Sequence, residues 1–243
     1  MKRTIFITLT AIIASLHLPG VVLAQEPPTY PQWVQTTADD GLIIRECASK
    51  SCVRISDDNR PSLLTAIPAG GHVKVLEAVE ALDEQGCIDG NCVWFRIDEG
   101  YISSAYTVDY PDPQPLGHNP CPNEEACALV DLDSQSLHLF QNGEETLTTW
   151  VSTGYLQGFT RVGNHRVLAK IPVQTMRGGE GTNAYKLPLI KWIAYFDEDR
   201  GTHSTYWHYG FGRGRSHGCV NMTLYDAKIV FDALNIGDLV IVQ

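Results

Sequence analysis

Between Asp109 and Pro122 the chain reads DYPDPQPLGHNPCP, five prolines in fourteen residues, and this stretch constrains the fold more than any other. Each proline lacks a backbone donor and holds φ at about −65°, so the stretch enters neither a helix interior nor a central strand. It reads as an extended, semi-rigid connection. The 243-residue chain is therefore expected to fold as two segments, 36–110 and 123–243, joined by a linker over 111–122.

Apolar periodicity gives both segments a β character. In the first, Val93, Phe95 and Ile97 form one apolar parity, and Val73 and Val75 alternate likewise after the turn Pro68-Ala69-Gly70-Gly71. No helix is indicated, and a small all-β barrel is expected. The second segment opens with a hairpin, Ser136 to Gln141 and Glu145 to Ser152, around the type I′ turn signal Asn142-Gly143. Further β runs cover Asn164 to Ile171 and Lys191 to Phe196. One helix is predicted, with Thr223 as N-cap, Asp226 three residues on, and Leu224, Ala227, Val230, Phe231 and Leu234 along one stripe. Asn235-Ile236-Gly237 ends it, and Leu239 to Val242 reads as a final buried strand. The predicted fold class is mainly β, with one clear helix near the C-terminus.

The N-terminus carries Lys2 and Arg3, an apolar run from Ile5 to Leu16, then Pro19-Gly20 and Val22-Leu23-Ala24. That is the layout of a secretory signal peptide over 1–24, cleaved near Ala24. The run is shorter than the about 20 apolar residues of a membrane span, so release outside the cytoplasm is expected over an uncleaved anchor. Cysteine usage agrees with an oxidising compartment. Six of the seven cysteines lie in three close pairs, and proximity suggests the disulfides Cys47–Cys52, Cys87–Cys92 and Cys121–Cys127, with Cys219 left free. A zinc site is the rival, but no second Cys-x-x-Cys or spaced His pair supports it, and no metal is expected. Eighteen basic residues against 28 acidic ones give a net charge of −10, which argues against nucleic acid and anionic membranes as partners.

The chemistry concentrates in Ser216-His217-Gly218-Cys219-Val220-Asn221, with His203-Ser204 sixteen positions before Cys219. A thiol attacks carbonyl carbon as thiolate, so a nucleophilic cysteine needs an imidazole or dipole beside it. His203, His208 and His217 are the candidates, and residue types alone do not choose among them. His217, two residues from Cys219, falls on the opposite side of an extended stretch and suits a role in shaping the loop or cleft. Gly218 and the Cys219 amide are candidate oxyanion donors. Ser216 and Asn221 suit holding the loop or contacting substrate. Tyr206, Trp207 and His208 form a polar-aromatic cluster suited to a cleft wall, and Arg213 and Arg215 suit a substrate carboxylate.

Ser-His-Gly-Cys followed by an apolar residue and Asn resembles the signature of the L,D-transpeptidase catalytic domain, the YkuD-like family. The resemblance extends over Val130-Asp131-Leu132, Val151-Ser152-Thr153-Gly154, Thr160-Arg161-Val162-Gly163, Gly201-Thr202-His203-Ser204 and the helix containing Asp226-Ala227. Thr160-Arg161-Val162-Gly163 stands where the family often has Thr-Pro-x-Gly, and His203-Ser204 where it often has His-Gly. The resemblance implies Cys219 as nucleophile, His203 as general base, and Ser204 or its carbonyl orienting the imidazole. It further implies peptidoglycan stem peptides as substrates and a 3→3 cross-link formed through a thioester, chemistry that needs no cofactor. An L,D-carboxypeptidase using water as acceptor is the alternative within that chemistry. In the first segment, Leu42-Ile43-Ile44-Arg45, Ile67-Pro68-Ala69-Gly70, Trp94-Phe95-Arg96-Ile97 and Gly100 to Tyr106 resemble a bacterial SH3-like (SH3b) domain. Such domains accompany cell-wall enzymes, which implies either wall binding or a rigid spacer. A non-catalytic wall-binding protein is the corresponding alternative outside enzymology, and the intact Cys219 and His203 weigh against it.

Overall fold

The computed structural model describes residues 29–243 apart from 61, 180, 182 and 183. The expected signal peptide lies outside the described residues. The first segment contains β1 (Gln32–Thr36), β2 (Leu42–Ile43), β3 (Ala66–Ile67), β4 (His72–Val75), β5 (Glu77–Glu80), β6 (Val93–Arg96), β7 (Tyr101–Ser103) and β8 (Thr107–Asp109). They form three small sheets, ordered β4-β1-β8, β2-β3 and β5-β6-β7. The three close cysteine pairs are joined as Cys47–Cys52, Cys87–Cys92 and Cys121–Cys127, and Cys219 is free.

The apolar parity of β6 is corrected by the structure. Trp94 is the residue buried there, packed with Ala48 and Ile88, while Phe95 lies half-buried against the cluster of Trp33, Ile44 and Ile102. Both faces of the strand are covered by different parts of the first segment, so alternation does not mark a wet face. In β4 all four residues are buried, His72 and Lys74 included. The outer face predicted for this strand is covered by the second segment.

That second segment contains β9 (Ala126–Asp131), β10 (Ser136–Gln141), β11 (Glu144–Trp150), β12 (Gly163–Arg166), β13 (Ala169–Gly178), β14 (Tyr185–Asp197), β15 (Arg200–Ser204), β16 (Val220–Met222), α1 (Leu224–Ala233) and β17 (Leu239–Val242). One sheet is ordered β11-β10-β9-β17-β12 and the other β13-β14-β15-β16. Val130, Leu137, Leu139, Phe196, Met222, Val230 and Val240 share the core that joins the sheets and α1. The β10–β11 hairpin turns at Asn142 and Gly143, whose positive φ values of 50° and 88° fit the type I′ turn. The run from Asn164 to Ile171 is broken at Val167 and Leu168. Val167 exchanges hydrogen bonds with Gly237 and Asp238, whereas Leu168 donates to Tyr195 O, so the chain changes sheets there.

The Pro-rich stretch has neither helix nor strand, but the segments it joins share a core. Tyr209 and Phe211 from the second segment pack among Trp33, Val34, Ile67 and Val73 of the first, with Phe211 edge-on to Trp33 at 5.4 Å. Lys74 of β4 donates to Asp226 of α1 at 2.6 Å, and their side chains are 5% and 0% exposed. The same Asp226 accepts from Thr223 and Thr149 hydroxyls, while the Thr223 side chain caps the helix by accepting from Asp226 N.

Candidate active site

Two neighbouring strands place the thiol and the imidazole. Strands β15 and β16 run parallel with His203 opposite Asn221, which brings His203 and Cys219, just before β16, onto one cleft of about 880 Å³. Trp207, Arg215, Ser216, His217 and Asn221 line that cleft with them. His203 is 2% exposed, and its Nδ1–H donates to Ser204 O at 2.9 Å. That bond fixes the tautomer and leaves Nε2 as the acceptor, the form a general base requires. Burial lowers the His203 pKa to about 4. Burial raises that of Cys219 to about 11, with the Asp199 carboxylate adding to the rise, and the thiol rests on Asp199 O at 3.6 Å. The free protein therefore holds a neutral pair, thiol and imidazole.

The loop carrying the thiol is a closed turn. Ser216 Oγ accepts from Gly218 N at 3.0 Å and donates to Cys219 O at 2.5 Å. Gly218 has φ +137°, and a Cβ there would collide with Phe159 O and Arg200, so only glycine fits. Its carbonyl accepts from Thr160 Oγ1 at 2.8 Å, and Thr160 Oγ1 in turn accepts from Gly154 N at 2.9 Å. The candidacy of Gly218 as an oxyanion donor is corrected on this geometry, because its N–H is already directed at Ser216. The Cys219 amide remains the candidate.

The other expected site residues fall into three places. His217 is exposed on the cleft rim, stacked between Phe159 and Tyr185 with Tyr155 edge-on. His208 stands behind the cleft, where Gly210 N–H donates to its Nδ1 at 3.2 Å. The Asn221 side-chain nitrogen Nδ2 lies 2.9 Å from His208 Nε2. Enclosure, Arg215 and His203 lower the His208 pKa to about 3. Tyr206 is corrected as a cleft residue. It is buried with Met176, Ile190 and Ile193 and donates to Pro188 O at 2.6 Å. Arg213 does not line the Cys219 cleft but a neighbouring crevice.

Sequence reasoning passed over Thr160, Tyr185, Asp199 and Arg200. Thr160 sat in a quoted motif, but its bond to Gly218 O spans 58 positions and has no local signal. Arg200 Nε donates to Phe159 O at 2.5 Å beside the turn; Asp199 lies in the bend between β14 and β15, and Arg200 opens β15. Among the described residues no group of three or more His, Cys, Asp or Glu side chains is placed to hold a metal.

Residues 126–242 match the family described as the L,D-transpeptidase catalytic domain, YkuD. Among solved structures, an L,D-transpeptidase from Mycobacterium smegmatis is 23% identical, with a TM-score of 0.46 over 62% of this chain and 66% of that one. The catalytic domain of the Enterococcus faecium L,D-transpeptidase is 26% identical, with a TM-score of 0.44 over 49% of this chain and 98% of that one. L,D-transpeptidase 3 from Mycobacterium tuberculosis is 18% identical, with a TM-score of 0.45 over 62% and 68%. The chain spans between half and two thirds of the first two solved chains it matches. No curated protein matches it.

Proposed function

Because residues 126–242 form an L,D-transpeptidase catalytic domain, we propose that the protein is a cysteine acyltransferase that acts on peptidoglycan stem peptides outside the cytoplasm. The observation that carries this reading is that a free Cys219 and a buried His203, whose Nδ1–H is held by Ser204 O, line one cleft. Three disulfides support an oxidising compartment. We assign 36–110 as the SH3-like segment, 111–122 as the linker and 123–243 as the catalytic segment.

In the free protein the thiol binds its proton far more tightly than the imidazole does, so a separated thiolate–imidazolium pair is disfavoured. The proton moves from Sγ to His203 Nε2 as the sulfur attacks, not before. The attacked carbonyl is that of the third residue of a stem tetrapeptide, and the Cys219 N–H meets the developing oxyanion. The Ser204 carbonyl steadies the imidazolium through Nδ1–H. His203 then gives its proton to the leaving D-alanine amine as the C–N bond breaks, and a thioester remains on Cys219. An amine from a neighbouring stem attacks the thioester carbon, His203 takes the amine proton, and the thiol is restored.

Incubating the protein with disaccharide-tetrapeptide and analysing the products by mass spectrometry tests the reading. Cross-linked dimer and free D-alanine are expected, whereas tripeptide alone means hydrolysis by water. No D-alanine release at all removes the acyl-transfer reading.

A further inference from the structure

The cleft wall made by Trp207 and Arg215 has a second face. Beyond it a crevice of about 620 Å³ runs between the two segments, and both residues line it as well. One side is the first segment's Leu64 and residues 68–72; the other carries Tyr209, Phe211 and Arg213. Hydrogen bonds join the two sides: His72 N donates to Tyr209 O at 2.9 Å and the His72 side-chain Nδ1 to Phe211 O at 2.6 Å. The thioester chemistry uses none of this space.

Its chemistry is specific. Arg213 and Arg215 form no salt bridge and no side-chain hydrogen bond among the described residues, although the chain carries a net charge of −10. Arg215 runs across Gly210 so closely that any Cβ there would collide with it, so the path of the guanidinium is built into the loop. The neighbouring His72 is buried, and that burial and Arg213 both lower its pKa. Leu64, Pro68, Ala69 and Trp207 supply an apolar lining. Two guanidiniums beside a small apolar surface suit a carboxylate that carries a small apolar side chain.

We propose that this crevice is the acceptor site, binding a short peptide by its free α-carboxylate on Arg213 and Arg215 and directing its side-chain amine past Trp207 to the thioester on Cys219. There the amine nitrogen bonds to the thioester carbon as the C–S bond breaks, and the amine proton passes through His203 to Sγ. The first segment is then part of the enzyme's substrate site, through residues 68–72. This rests on the acyl-transfer reading.

The test is calorimetric binding, without turnover, of a stem tetrapeptide and its C-terminal amide to the full chain carrying Cys219→Ala. The free acid is expected to bind about tenfold more tightly than the amide, as a charge-assisted contact predicts. Adding Arg213→Gln should abolish most of that preference with little effect on the amide. Ala69→Glu, an exposed change on the opposite wall in the first segment, should weaken the acid specifically. Equal affinities for acid and amide, no measurable binding, or a preference that survives Arg213→Gln each overturn the proposal. Failure of the acyl-transfer reading appears elsewhere, as the absence of D-alanine release by the unaltered protein.

Discussion

At the scale of single residues, the site depends on where protons sit before reaction. With the His203 pKa lowered to about 4, the base stays neutral and competent well below the usual histidine range. The rate of Cys219 acylation should therefore hold nearly level from pH 7 down to about 5 and fall only as His203 protonates near pH 4, checked by stopped-flow acylation across pH. An acid limb centred near 6.5 would mean an imidazole in water. Ser216→Ala removes both bonds that close the thiol's turn, and steady-state kinetics should show kcat falling about 10²-fold, the cost of roughly 1 Å of misplacement. Cys219 and His203 were legible in sequence because spacing and residue types resemble a known signature. The enclosure of His208, the burial of Tyr206 and the occupied N–H of Gly218 were not, since each depends on partners brought close only by folding.

At the scale of elements, α1 is held from outside its own segment. Its Asp226 is anchored by Lys74 of β4, and the strand before it begins at the residue after Cys219. Lys74→Met leaves a buried carboxylate without its cation, and denaturant unfolding should show a loss of about 3–5 kcal/mol. Combined with Asp226→Leu the loss should be clearly less than the sum of the single changes, because the orphaned charge is gone. The helix itself was legible, from Thr223 as cap through its stop at Asn235-Ile236-Gly237. Its anchor was not, because a lysine in an alternating strand reads as a residue on a wet face. The same reason hid the burial of His72.

At the scale of the whole molecule, the proline-rich stretch joins two segments that do not stand apart. Phe211 and Tyr209 complete the first segment's core while their loop forms the wall between cleft and crevice. Proteolytic cleavage within 111–122 should therefore leave the two pieces associated in native size-exclusion chromatography. The seam also carries Glu99, whose burial beside Asp98 raises its pKa to about 8. A carboxyl raised in the folded state favours folding most below its unfolded pKa, and that contribution is lost as pH rises through about 8. Thermal melts should show Glu99→Gln losing less Tm than the parent between pH 6 and 9. The prolines marked a stretch with neither helix nor strand, but the shared core was not legible, because Tyr209 and Phe211 lie far along the chain from the strands they complete. The most direct measurement is the intact mass of the protein during turnover of disaccharide-tetrapeptide. It should reveal an adduct on Cys219 equal to the substrate less D-alanine, absent in Cys219→Ala, whereas D-alanine release that persists in Cys219→Ala would contradict a thioester at this residue.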